Sequence, residues 1–343
     1  MKTKVDEILN KIDSIKKESL HLYFIVRVPK PRIKKSAKVL DKYDFEIYQV
    51  DIDKKISEHL HKFSKSQLER VVLKNYEMTP YEAISDDSGY IYSYDITNKS
   101  MSFLDIVTNR LNNKSKIPKI KKIADLINSG DLWAYSVGFY SEEDDDWVYS
   151  FRKVLKGKVS IDAEEQKKNK ALGMFRTKFN TTSSKLEILE GETVNLDERI
   201  DCVYFENVFY IFHKTQFEQI TGLTEEFKEH AQNIASELIK TQMFDGMELL
   251  NKQIQENPAI HKKLVRLKKL NNYQNLNESS LDKMITIAEK YGGKLVKKDG
   301  KILIESEPDL DLTIKVLVDF YKTGEFSGKP YGTFSGKQLV AKK

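Results

Sequence analysis

Two runs of β-branched and aromatic residues, Ile200 to Phe205 and Val208 to Phe212, are separated by only Glu206 and Asn207. A two-residue connection closes only in a turn with positive φ at its central residues, so this stretch is constrained to a β-hairpin. Thr215-Gln216-Phe217-Glu218 follows at once and reads as a capping box, with the Thr215 hydroxyl accepting from the backbone and the Glu218 carboxylate reaching back to the cap. A short helix is expected to start there. Gly222 can end it, and Thr224, Glu225 and Glu226 form a second helix start, with carboxylates where the helix dipole favours them.

The spacing of apolar residues organises the remainder. Val5 to Ile15 has a helical period, His21 to Val28 reads as a strand ended by Pro29 and Pro31, and Asp44 to Ile52 alternates as a second strand. Ile56 to Tyr76 and Ile117 to Ile127 read as helices. Gly89 to Ile96, Leu132 to Tyr140 and Trp147 to Leu155 read as strands, with weaker strand character at Met174 to Phe179 and Leu186 to Leu189. Beyond Leu223 the chain is more helical. Phe227, Ala231, Ile234, Leu238, Met243, Met247, Leu250 and Ile254 suggest one long helix bent near Gly246. A helix over Leu281 to Tyr291, a hairpin around Asp299-Gly300 and a helix over Asp309 to Tyr321 close the regular structure. The fold class is therefore α+β, with a mixed, sheet-rich N-terminal domain over 1–192 and a C-terminal domain over 193–343.

Composition narrows the function classes. The single cysteine, Cys202, falls on a strand, which excludes a disulfide framework and a cysteine-based zinc site and suits a buried thiol. No run approaches the ~20 apolar residues that span a bilayer. The first ten residues carry Lys2, Lys4, Asp6 and Glu7, so a secretory signal is not expected. A net charge of +5 from 57 basic and 52 acidic residues says little, but its distribution says more. Pro258 to Asn271 holds Lys262, Lys263, Arg266, Lys268 and Lys269 without an acid, and Arg27 to Lys42 holds seven cations against Asp41.

Pro258 suits the first turn of a helix. Ile260, Leu264 and Leu267 then share one side, with Lys262, Lys263, Arg266 and Lys269 opposite. Such a face fits either plain solvation or the neutralisation of phosphates, which position a protein on DNA without reading its sequence. Lys34, Lys35 and Lys38 form a second candidate track, and Lys297, Lys298 and Lys301 a third cluster at a hairpin tip. Catalytic signatures are weaker. Glu226-Phe227-Lys228 with Asp201 has the residue types of a metal-dependent nuclease, but Glu226 also reads as a first-turn helix acid. The six histidines include no His-Glu-x-x-His pair. Gly332 to Gln338 is one residue short of a phosphate loop and lacks its hydroxyl. The five acids Glu142 to Asp146 lack calcium-loop spacing and suit a hairpin turn.

Tyr210-Ile211-Phe212 leading into Phe217-Glu218-Gln219-Ile220, the basic stretch Lys262 to Leu270, the turn at Asp299-Gly300, Leu317-Val318-Asp319-Phe320 and the segment from Gly328 to Leu339 together resemble the KwaB-like family of the Kiwa anti-phage defence system, over residues 197 to 340. The resemblance implies a bacterial, cytoplasmic protein that binds double-stranded DNA, forms a homodimer and works with a membrane partner, KwaA. The resulting expectation is a defence protein without chemistry of its own and without a cofactor. It would block phage DNA replication or transcription through Lys262, Lys263, Arg266 and Lys269, extended by Lys34, Lys35 and Lys38. A metal-dependent defence nuclease is the main alternative, and an interaction protein whose basic helix docks an acidic partner or anionic lipid is the other.

Overall fold

The computed structural model describes residues 4–16, 20–30, 43–84, 89–95, 111, 117–120, 131–154, 159–160, 177–180, 185–188, 193–194 and 196–334. Its contacts divide the chain into two compact units, Met1–Thr79 with Ile91–Thr221, and Pro80–Tyr90 with Gly222–Lys343. The division therefore falls at Thr221, past the boundary that the sequence suggests near Glu192. The reason is that the hairpin after Ile200 extends the N-terminal sheet.

That sheet is built from β1 (Leu20–Pro29), β2 (Tyr43–Val50), β3 (Glu77–Pro80), β4 (Tyr90–Asp95), β5 (Asp131–Ser141) and β6 (Asp146–Lys153), joined after the short strands β7 (Val159–Ser160), β8 (Thr177–Asn180), β9 (Lys185–Ile188) and β10 (Thr193–Val194) by β11 (Cys202–Phe205) and β12 (Val208–Ile211). Its eight strands lie in the order β2-β1-β5-β6-β11-β12-β4-β3. Glu206 and Asn207 take φ of 48° and 62°, as the tight turn requires. Residues 117–120 do not begin the expected helix. They run along β2, where Gln49 N donates to Pro118 O and Ile120 N to Gln49 O, each at 2.9 Å; the rest of that predicted helix lies outside the described residues.

Both faces of the sheet are buried, so its strands read as apolar runs as well as alternations. On one face Leu22, Phe24, Val137, Phe139 and Val203 pack with Val5, Ile8 and Ile12 of helix α1 (Lys4–Ser14) and with Leu60, Phe63 and Leu68 of α2 (Lys54–Leu73). The acidic turn between β5 and β6 holds α1 in place: Lys11 reaches Asp146 at 2.9 Å and Asp144 at 3.3 Å, and Lys16 reaches Glu142 at 3.1 Å. The opposite face is aromatic. Trp147 stacks on Tyr149 with ring centroids 5.3 Å apart, and the neighbouring Gly138 leaves them room, since a Cβ there would lie 2.9 Å from both rings. Further along, Phe209 meets Phe217 of α3 (Lys214–Thr221) at 5.6 Å. This helix starts two residues earlier than the capping-box reading places it, at Lys214. Asp201 O accepts from Phe212 N and His213 N, and Phe217 N bonds to His213 O, so Thr215 falls in the first turn and Glu218 is buried.

In the second unit, α4 (Leu223–Lys240) begins after Gly222 at φ 78°, with Glu225 and Glu226 in its first turn. The single long helix expected from Phe227 to Ile254 is two helices. Gln242 and Gly246 have φ of 57° and 83°, and between them β13 (Phe244–Asp245) leaves the helical path to pair in parallel with β15 (Lys301–Leu303), which also pairs with β14 (Val296–Lys298). Helices α5 (Glu248–Glu256), α6 (Pro258–Leu270), α7 (Glu278–Lys290) and α8 (Glu307–Leu317) complete the unit, with a last hairpin of β16 (Tyr321–Thr323) and β17 (Pro330–Gly332). Its core joins Ile234 and Leu238 of α4 to Leu250, Leu264, Leu281 and Ile314. Among the described residues no helix is long and apolar enough to cross a membrane.

Candidate nucleic-acid interface

Helix α6 forms as its sequence predicts. Asn257 caps it by accepting from Ala259 N at 3.0 Å, Pro258 fills the first turn where its missing N–H costs nothing, and Asn271 ends it at φ 58°. Ile260, His261, Leu264 and Leu267 are buried. The basic side chains, however, do not form one solvated face. Lys263 pairs with Asp311 at 2.5 Å, and Lys315 shares that carboxylate at 2.8 Å. These two ammonium groups hold the Asp311 carboxyl below the usual carboxylate range, against the opposing effect of burial. Arg266 donates from Nε to Val318 O at 3.2 Å and from Nη1 to Phe334 O at 2.6 Å. Lys269 is 71% exposed and meets Glu82 at 2.9 Å, an ion pair of a kind that contributes little to stability. Lys268 is exposed and Lys262 half-buried.

The sequence shows no acid within the helix, but folding supplies Asp311 from 48 residues away and Glu82 from 187 residues away. Lys268 and Lys269 are exposed and Lys262 is half-exposed, with Lys269 already facing Glu82. The hairpin tip adds more. Lys298 and Lys301 lie directly opposite one another beside Asp299 and Gly300, and among the described residues neither has an acid partner. Like charges in that relation disfavour the pairing of their strands. Lys297 is instead tied to Asp282 at 2.8 Å and Glu278 at 3.3 Å. Lys34, Lys35 and Lys38 lie outside the described residues.

The carboxylates considered for a nuclease have other roles. Asp201 is fully buried; its Oδ1 accepts from Arg152 Nη1 at 2.6 Å and its Oδ2 from Lys153 N at 2.8 Å. Arg152 also forks onto Asp197, with Nε to Oδ1 at 2.9 Å and Nη2 to Oδ2 at 2.6 Å. Glu226 lies 3.3 Å from His230. Among the described residues no cluster of three or more histidine, cysteine or acidic side chains is placed to hold a metal ion. Cys202 is buried, which pushes its thiol well up from its ordinary value. Next to this network, Trp133 lies between two cations, with Arg27 and Lys153 each 3.7 Å from its ring centroid. Neither arrangement is signalled in the sequence, because each joins residues far apart in the chain.

His213 in the first unit and His261 in the second are shifted from their ordinary value, in opposite senses. The Asp201 carboxylate raises His213, which also donates to Ile200 O at 2.9 Å. Its stabilising contribution is complete below about pH 6.5 and is lost as pH rises through the higher folded value. Burial lowers His261, whose Nε2 donates to Ile254 O at 2.7 Å while Nδ1 has no partner among the described residues. Its contribution is present above about pH 6.5 and is lost as pH falls through the lower folded value. In urea melts, His213→Gln is therefore expected to cost more at pH 5.5 than at pH 8, and His261→Gln more at pH 8. Penalties independent of pH would contradict both assignments.

A family model described as Kiwa protein KwaB-like matches residues 129–326, more than half of the chain and parts of both units. No curated protein and no solved structure matches. The match begins at β5, well before the stretch in which the sequence resemblance is legible. It takes in the strands that carry Trp133 and Arg152, and Asp201 just before β11, as well as the basic helix. The chain thus belongs to the KwaB-like family, and through it to the Kiwa anti-phage defence system with its KwaA component.

Proposed function

We propose that the protein acts in this defence by binding duplex DNA through its phosphates, largely independently of sequence and without cutting it. The observation that supports this reading is the basic helix Pro258–Leu270, which bears five cations and no acid and keeps Lys262, Lys268 and Lys269 toward solvent. Lys298 and Lys301 add two cations in a pairing that costs the hairpin stability, so a phosphate chain is the natural counter-charge. In this proposal KwaA holds a homodimer near the inner face of the membrane, and occupied DNA is withheld from replication or transcription.

Fluorescence anisotropy of labelled duplex DNA over a salt series tests the reading. Lys262→Glu/Lys269→Glu, which leaves the inward-turned Lys263 and Arg266 intact, is expected to weaken binding about tenfold or more and to flatten the log–log salt slope by about 2. Lys298→Glu/Lys301→Glu shows whether the hairpin shares the contact, and Lys34→Glu/Lys35→Glu/Lys38→Glu tests the second candidate track. Absence of wild-type binding at low salt would overturn DNA as the ligand, and the same variants would then be tried against anionic lipid vesicles. Strand cleavage on adding Mg²⁺ would overturn the non-enzymatic part.

A further inference from the structure

At about 100° per residue, Lys262, Arg266 and Lys269 fall in one line along the Pro258–Leu270 helix, with Arg266 in the middle. The outer two face solvent at least in part, while Arg266 is occupied by the carbonyls of Val318 and Phe334. The segment that supplies Phe334 is brought there by the last hairpin. Thr333 N donates to Phe320 O at 3.0 Å, and the Phe334 ring packs on Phe320 with centroids 4.6 Å apart. Lys263 Nζ lies 5.6 Å from the Phe334 ring centroid. Gly332 is what lets the strand pass so close, because a Cβ there would lie 2.3 Å from the Phe320 ring.

We propose that this C-terminal strap, Gly332 to Phe334, is an autoinhibitory contact: it withholds Arg266 from DNA, and its displacement completes the cationic line. The proposal rests on the DNA-binding reading above. Arg266 in the closed form satisfies two neutral carbonyls, whereas a phosphate offers a bidentate, charge-assisted pair about twice as strong per hydrogen bond. The strap lies at the rim of the unit, where Phe334 packs against the edge of the apolar core and on Phe320, and a short segment at such an edge can open below the global unfolding free energy. Residues 335–343 carry Lys337, Lys342 and Lys343 and no acidic side chain. Val318 O continues to hold the Arg266 Nε in the open form, which leaves the guanidinium edge that faced Phe334 free to turn to a phosphate.

The test is Phe334→Ala in the full-length protein, measured by DNA anisotropy across a salt series after circular dichroism confirms the wild-type fold. Binding is expected to tighten about three- to tenfold, with a log–log salt slope steeper by about 1, the share of one phosphate contact. Adding Arg266→Gln is expected to remove the gain. Gly332→Ala, which pushes the strap off Phe320 by a different route, is expected to act in the same direction. If wild type and both strap variants bind with equal affinity and slope, the strap is a plain packing contact and the proposal fails while the DNA reading stands. If none of them binds DNA at low salt, both fail together.

Discussion

Replacing Arg152 by Met is expected to lower the stability of the N-terminal unit by about 3–5 kcal/mol, the largest effect of any single substitution considered. The side chain fills similar volume, so the loss is electrostatic. Arg152 is 3% exposed and donates to Asp201, which is 0% exposed, while also gripping Asp197 through two parallel bonds. Without it the Asp201 carboxylate keeps Lys153 N–H and the neighbouring His213 but no buried counter-charge. An uncompensated buried anion costs far more than the intact pair contributes. Arg152→Met/Asp201→Asn should therefore recover part of the loss, since it removes the stranded charge. Urea unfolding followed by circular dichroism measures both. Arg152→Met with an unshifted midpoint would show that the network carries no such burden. Against the ~5–15 kcal/mol that typically holds a domain together, the single variant is expected to leave the unit near the threshold of folding.

Gly246→Ala is expected to cost about 2–4 kcal/mol in the second unit, from two causes that a control separates. Gly246 has φ of 83°, a region that L-residues enter only with strain, and its added Cβ would lie 2.0 Å from Ile304 O. That oxygen belongs to backbone just beyond β15, fixed on the other side by Ile304 N donating to Asp245 O at 3.0 Å, so it cannot withdraw cheaply. Gly300 has a similar φ of 76° but open space where its Cβ would go. Gly300→Ala should cost only the backbone strain, about 1–2 kcal/mol. Equal penalties at the two positions in thermal or urea melts would mean that the close approach to Ile304 is unimportant.

These two sites also show what a sequence discloses. The turn at Glu206-Asn207, the helix start at Pro258 and the helix end at Gly222 are legible because their determinants lie within a few residues. The break between α4 and α5 is not, since Met243 and Met247 continue an apolar helical period through it. The break is made by a strand pairing with Ile302 and by a positive φ at Gln242, a residue type that does not advertise one. The same holds at the basic helix. Its existence, its cap and its apolar side follow from local spacing, but whether Lys263 and Arg266 face water depends on Asp311, Val318 and Phe334, which only the tertiary structure brings near. Asp201 shows the reverse error. As a sequence letter it is an available carboxylate, and in the fold it is enclosed by Arg152.

The chain contains two tryptophans, and both lie in the first unit, Trp133 between Arg27 and Lys153 and Trp147 stacked on Tyr149. Intrinsic tryptophan emission therefore watches one half of the molecule and is blind to the other. Loss of the flanking cations and of the stacked ring would change its intensity when the sheet opens, while melting of the helices that bear the proposed DNA contacts would pass unseen. A titration with nucleic acid that leaves this emission constant would say nothing about the second unit, and a tryptophan placed at Phe334 would give that unit an optical signal of its own.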